Sequence, residues 1–224
     1  MIKNDVIYIT NYHFEGCYLC TMTTTLKNHW ETVYETKQPN QVSWTQEVPQ
    51  SSIDFINSFH LPLDSRIIDI GGGDSKLVDH LLNLGYTNIS VLDISSKSIE
   101  RAKERLGEKA EKVKWIVADI NEFQPLEKYN LWHDRAAFHF LTQENEVEGY
   151  IQMVSKYAEN IIIATFSVDG PHKCSGLEVQ QYDEVSMKNK FEKVGFKNIE
   201  CKRFDHETPS KAIQNFIFCS FKYQ

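Results

Sequence analysis

No apolar run in this 224-residue chain approaches the about 18 residues that a membrane-spanning helix needs, so no membrane partner is expected. There is no basic arm or stripe either. Lysine and arginine are spread along a chain of formal charge −7, which disfavours nucleic acid as a partner, although a cofactor enzyme can carry a local basic patch. The first residues lack the charged, apolar, small-residue order of a secretory signal. Five cysteines, an odd number in a chain long enough to bury a core without staples, read as reduced thiols in a cytoplasmic protein. Cys17 and Cys20 form a CxxC, but no second such pair or nearby Cys/His pair completes a zinc site, so no metal is expected. Internal repeats, low-complexity tracts and interdomain linkers are also missing. Residues 1–25 show little periodicity and are expected to be a poorly ordered leader, with Met22 a candidate natural start; residues 26–224 are expected to form one domain.

What the chain does have begins at Ile67, where the short apolar strand Ile-Ile-Asp-Ile runs into Gly71, Gly72 and Gly73 and then into a helix. Backbone free of side chains at a strand-to-helix turn lets a nucleotide-like cofactor approach main-chain N–H groups. Asp93, at the end of a second strand, follows Gly71 by 22 residues, the spacing at which a carboxylate meets ribose hydroxyls in a β-α-β cofactor site. A third strand ends in Asp119. The plainer alternatives are a tight turn for the glycines and a helix cap for Asp93.

The pattern around this nucleus alternates. Ser51-Ser52-Ile53-Asp54 reads as a capping box opening a helix with Phe55, Ile56 and Phe59 on its apolar face. Strands are expected at 66–70, 89–92, 113–118, 129–132 and 160–166, and helical stripes after each of the first two and before the fifth, the last carrying Val147, Tyr150, Ile151 and Val154. A turn-rich loop at 167–177 leads to a helix with Met187 and Phe191. The segments 199–204 and 213–221 leave no room for a crossover helix and should pair antiparallel. The whole predicts an α/β fold: one doubly wound, mostly parallel sheet closed by a C-terminal antiparallel hairpin.

The glycine loop decides between cofactors. A dinucleotide fingerprint places its third glycine where Lys76 stands, and no P-loop occurs anywhere. Asp69, Asp74, Asp93 and Asp119 all fall at or near the carboxyl edge of the sheet, where four carboxylates would repel a pyrophosphate but tolerate a ligand with a sulfonium and an amino group.

On these residues the chain resembles a class I S-adenosylmethionine-dependent methyltransferase, from about Trp30 to Phe221. Asp69-Ile-Gly-Gly-Gly resembles the family's first motif, Val91-Leu-Asp93-Ile94 its ribose-binding acid, and Val117-Ala-Asp119-Ile120 the segment that reads adenine. The resemblance implies a seven-stranded sheet of order 3-2-1-4-5-7-6 and S-adenosylmethionine as cofactor. His29-Trp30-Glu31 with Tyr34 and Trp44 resembles the N-terminal cap of small bacterial enzymes and of some lysine and thiol methyltransferases, which makes Trp30, Tyr34 and Trp44 candidate cofactor-binding residues, although these aromatics also suit an ordinary core or surface. Ser75 departs from the glycine common at that place.

Methyl transfer is an in-line displacement that asks the protein mainly for positioning and exclusion of water. The fourth strand closes on His133, Asp134 and Arg135, the candidate catalytic residues. In one reading His133 or Asp134 lies beside the donor as base or orienting group, and Arg135 steadies the carboxylate or binds substrate. In the other, Asp134 and Arg135 form a structural ion pair and His133 packs on the adenosine. His139 between two phenylalanines reads as a core histidine, Cys174 as an inert thiol, and Arg203, Asp205 and His206 as solvated surface. The Asn/Asp-Pro-Pro-Tyr/Phe motif that methylates planar nitrogens is missing after strand four. The expected activity is methyl transfer to a small-molecule thiol, hydroxyl or amine. A protein lysine substrate, a non-catalytic cofactor-binding module and a nicotinamide-dependent reductase are the competitors.

Overall fold

The computed structural model describes residues 7–8 and 18–224, with side chains from Thr25 onward. The Cys17–Cys20 pair as a side-chain unit lies outside the described residues, as does most of the stretch expected to be a leader. Two parts of that stretch carry regular structure: a short strand β1 (Ile7–Tyr8) and the start of helix α1 (Tyr18–Thr36), which opens well before the expected domain boundary.

A mixed sheet forms the core. Its strands are β1, β2 (Arg66–Ile70), β3 (Asn88–Asp93), β4 (Val113–Val117), β5 (Tyr129–Arg135), β6 (Ala158–Phe166), β9 (Phe196–Glu207) and β10 (Ile213–Tyr223), in the order β1-β4-β3-β2-β5-β6-β10-β9. A separate two-stranded hairpin, β7 (Lys173–Cys174) with β8 (Leu177–Glu178), occupies part of the segment expected to be a loop. The main sheet has eight described strands where seven were expected: Ile7 and Tyr8 add parallel to Ile116 and Val117 on the outer edge of β4. Inside that edge the order is the expected one. The terminal pair β9–β10 is antiparallel, and β10 also pairs antiparallel with β6.

Helices cover both faces. On one lie α2 (Gln50–Ser58), α3 (Leu77–Asn83) and α4 (Ser96–Leu106); on the other lie α5 (Glu144–Tyr157) and α6 (Glu184–Glu192). Each strand alternates between the two cores, as a pleated chain must. Ile67 on β2 and Leu131 on β5 join the α2–α4 core, whereas Ile68 and Trp132 join the α5–α6 core. Ser95 caps α4 through its hydroxyl, which accepts from Ser98 N, and Gly107 closes the helix at positive φ. The expected capping box at Ser51 does not form. Helix α2 starts at Gln50 after Pro49, with no side-chain cap, and Ser52 instead turns into the interior.

Two expectations about cysteine and histidine are corrected by the terminal hairpin. Cys201 and Cys219 stand directly opposite each other in the β9–β10 register and are joined as a disulfide, not held as reduced thiols. His206, expected at the solvated surface, is buried and donates from Nε2 to Ser43 O at 2.6 Å, tying the hairpin to the segment that follows α1. Arg203 is a surface residue as expected, paired with Glu184 and Asp169, and Asp205 accepts from the Asn215 amide.

Candidate functional site

A cavity of about 780 Å³ opens at the carboxyl edge of β2, β3, β4 and β5, within the range of small-molecule sites. Its floor is the loop after β2. Gly71 sits at φ +65°, in the left-handed region that a side chain resists. The next two glycines are required by close approach: a Cβ on Gly72 would lie 2.4 Å from Asp69 Oδ2, and one on Gly73 would lie 2.2 Å from Ser98 Oγ and 2.4 Å from Asp93 Oδ2.

The acids line the same cavity, each fixed by backbone. Asp93 accepts from Gly73 N at 3.0 Å and from Ser95 N at 2.8 Å, so the end of β3 is bound to the glycine loop through one carboxylate. Burial pushes its pKa up to about 6 against the pull of those hydrogen bonds. Asp119 accepts from Asn121 N at 2.8 Å, and burial raises its pKa too. Asp74 has become an ion-pair partner of Arg105 and Arg101 at the cavity wall. Ile94 and Ile120, the residues after the two acids, also line the space.

β5 separates the three candidate catalytic residues. His133 and Arg135 face the cavity; Asp134, between them, faces α5. There Asp134 accepts from Ala137 N and Phe138 N, both at 3.0 Å, and from the Tyr150 hydroxyl at 2.8 Å, while Tyr150 in turn accepts from Trp132 Nε1. Burial pushes its pKa up to about 6. The residue therefore holds the turn at 136–140 and cannot reach a methyl group, which corrects its expected catalytic role; nor does it pair with Arg135. His133 is fully engaged: Nδ1 donates to Asp69 Oδ1 at 2.7 Å, and Nε2 shares a hydrogen bond with Ser52 Oγ at 2.9 Å. Ser52 was not readable as a site residue, because its sequence context suggested a helix cap.

Above the cavity, α1 and residues 37–49 form a cap. Trp30, Tyr34 and Trp44 come together as the sequence resemblance implied: ring centroids are 5.6 Å apart for Trp30–Trp44, 6.2 Å for Tyr34–Trp44 and 5.2 Å for Trp30–Phe140. Glu31, one residue on, leaves the aromatic wall and binds the start of α4. Its carboxylate accepts from Ser96 N and Lys97 N and from the Ser95 and Ser96 hydroxyls, at 2.7 to 3.0 Å. His139 is a core histidine, with Nδ1 accepting from Phe166 N; burial pushes its pKa down to about 3. Cys174 is a buried thiol whose pKa burial pushes up to about 11, as an inert thiol requires.

The residues present fit S-adenosylmethionine. Asp69 Oδ2 is buried with no hydrogen-bond partner in the protein, beside glycines whose side chains would fill the cradle, and so offers an acceptor to the amino group of the methionyl part. Asp93 and Asp119 offer acceptors for the ribose hydroxyls and the adenine amine. Among the described residues no group of His, Cys, Asp and Glu is placed to hold a metal ion, and no helix is long and apolar enough to cross a membrane.

Comparison with known proteins agrees with this geometry. A family model described as a methyltransferase domain matches residues 63–217. A malonyl-[acyl-carrier protein] O-methyltransferase of Ilyobacter polytropus is 32% identical over 105 residues, covering 46% of this chain and 40% of that protein. The human EEF1A lysine methyltransferase 2 is 22% identical over 152 residues, 62% of this chain and 64% of the relative. Both matches thus span less than two thirds of the relative. Among solved structures, an S-adenosylmethionine-dependent methyltransferase from Anabaena variabilis superposes with a TM-score of 0.71 at 12% identity, covering 91% of this chain and 95% of that one. The Burkholderia thailandensis 1,6-didemethyltoxoflavin-N1-methyltransferase, solved with S-adenosylhomocysteine, gives 0.68 at 12% identity, with 96% and 93% covered. With the family model spanning most of the chain and the fold and cofactor cradle in agreement, the protein belongs to the class I S-adenosylmethionine-dependent methyltransferases.

Proposed function

We propose that this protein transfers the methyl group of S-adenosylmethionine to a small-molecule acceptor with a thiol, hydroxyl or amine. The observation that carries this reading is the shape of the cavity. One continuous space is lined by the glycine loop, the two cofactor acids, the aromatic cap, Ser52 and Arg135. An acceptor seated under Trp30, Trp44 and Phe140 is shielded from water and lies on the side from which an in-line attack on the donor methyl must come.

In this reading the protein works by positioning. The cofactor supplies an electrophilic methyl group; the chain supplies its orientation. His133 is a positioning residue: held by Ser52, it fixes Asp69, whose free oxygen takes the donor's amino group. The cap aromatics close the acceptor end. His133→Ala is therefore expected to weaken S-adenosylhomocysteine binding at least as much as it slows turnover. A variant that binds normally but turns over slowly would make His133 the base instead.

A protein lysine acceptor is the second reading, favoured by the aromatic wall, which suits a methylammonium, and by the similarity to a lysine methyltransferase. Arg135 at the acceptor end disfavours a second cation. Incubation of cell extract with labelled S-adenosylmethionine, followed by separation of metabolites from protein, distinguishes the two. Label in the metabolite fraction is the expected result, and label confined to protein would overturn the small-molecule reading.

A further inference from the structure

Arg135 is the feature of the cavity that methyl transfer alone leaves unexplained. Of its five N–H donors, those on Nη1 are met in part by Trp44 O at 3.1 Å, and its guanidinium carbon lies 4.9 Å from the centroid of the Phe216 ring. Nε and Nη2 are buried and have no acceptor in the structure, and no carboxylate lies within ion-pair distance of the group among the described residues. A buried cation with no carboxylate in direct contact is costly, and its orphan donors add to that cost. Asp69 acts on it electrostatically but forms no ion pair with it and is bound to His133, while the Cys174 thiol and His139 are held neutral by burial, so none of these groups supplies a direct partner.

Geometry narrows the ligand. Nε and Nη2 form one edge of the planar guanidinium, with two parallel N–H directions that match the two oxygens of a carboxylate. The direction of the side chain sets this edge apart from the two acids assigned to the adenosine, with Asp69 between them near enough to act on the arginine. Glycine loop, Asp93 and Asp119 follow β2, β3 and β4 toward one side of the sheet. Arg135 leans the other way, over β6 to Phe216 on β10.

We infer that the methyl acceptor is a carboxylate-bearing molecule, its carboxylate held side-on by Nε and Nη2 of Arg135 at the end of the cavity away from the cofactor. This rests on the methyl-transfer reading of the same cavity. It adds that the acceptor molecule is an anion, whichever of its atoms is methylated.

The test is a binding comparison on the S-adenosylhomocysteine-loaded protein, followed by tryptophan fluorescence, since Trp44 holds the arginine. Three acid and amide pairs serve as probes: propionate and propionamide, benzoate and benzamide, phenylacetate and phenylacetamide. At least one acid should bind tenfold or more tighter than its amide. Arg135→Gln should remove that preference, and Arg135→Lys, which keeps a charge without the flat edge, should keep only part of it. Thermal melting checks that the variants fold; should Arg135→Gln not fold, the wild-type preference and Arg135→Lys decide. Equal binding of every pair, or no binding of any probe, overturns the inference, as does an acid preference that survives in Arg135→Gln. A loss of S-adenosylhomocysteine affinity in Arg135→Gln without loss of acid preference would give the arginine to the cofactor's own carboxylate and also overturn it. Failure of the wild type to bind S-adenosylhomocysteine is a different result, and it strikes the methyl-transfer reading itself.

Discussion

Asp93 and Asp134 are buried carboxylates near the ends of the two strands that flank β2, both with pKa pushed up to about 6 by burial, yet they do unrelated work. Asp93 faces the cavity; its replacement by alanine should weaken S-adenosylhomocysteine binding by about 1.5 to 3 kcal/mol, the value of charge-assisted hydrogen bonds, as read by calorimetry. The ionised form is the one that accepts from ribose, so affinity should also fall as pH drops below about 6. For stability the sign is opposite. The native state holds protons that the unfolded chain releases between the ordinary carboxylate range and about 6, so the contribution of both groups declines as pH rises through that window. Asp134→Ala should cost about 3 kcal/mol or more in chemical unfolding, because it orphans two backbone N–H groups and the Tyr150 hydroxyl. A folded Asp134→Ala of wild-type stability would contradict the structural role. The glycines, Asp93 and Asp119 were legible in the sequence because spacing alone fixes strand ends in a β-α-β unit. The sorting of His133, Asp134 and Arg135 was not, because pleating sends adjacent residues of β5 to opposite faces and the sequence alone does not say which face meets the cavity.

Among the elements, α1 is the one whose placement the sequence least revealed. Its aromatics were visible at one-turn spacing, but what docks the helix is Glu31 against the start of α4, a contact across 64 residues that no local pattern announces. The hydrogen bonds from Ser95, Lys97 and Ser96 outweigh burial, which alone would raise the pKa, and hold the Glu31 carboxyl below its usual range. A negative group at a helix N-terminus is also favoured by the helix dipole. Glu31→Ala should therefore loosen the cap: amide exchange in residues 25–36 is expected to speed up about tenfold, the equivalent of roughly 1.4 kcal/mol, with a smaller effect on β2. Equal protection in the variant would show that the aromatic wall alone holds α1. Ser52 was hidden for the same kind of reason. The hydroxyl pair Ser51-Ser52 looked like a cap, and only the packing of α2 on β5 shows that the second serine meets His133.

At the scale of the molecule, the alternation of strands and helices was enough to give a doubly wound, mostly parallel sheet, and the closing hairpin followed from the absence of a crossover helix; the strand order inside the β1 edge was what the family resemblance implied. The disulfide was not readable, since cysteine count alone argued for thiols and the pairing depends on the β9–β10 register. Thiol titration of the denatured protein should find two fewer thiols without reductant than with it; equal counts would mean that Cys201 and Cys219 are not joined. Cys174 should resist modification until the protein unfolds, given its burial. The proposed function rests on one cavity shared by donor and acceptor. The most direct test is a crystal structure of the protein with S-adenosylhomocysteine. It should show the ribose on Asp93, the adenine amine on Asp119, the amino group on Asp69, and the sulfur directed at the space between Trp44, Phe140 and Arg135. A ligand bound elsewhere, or one whose sulfur points away from that space, would contradict the account.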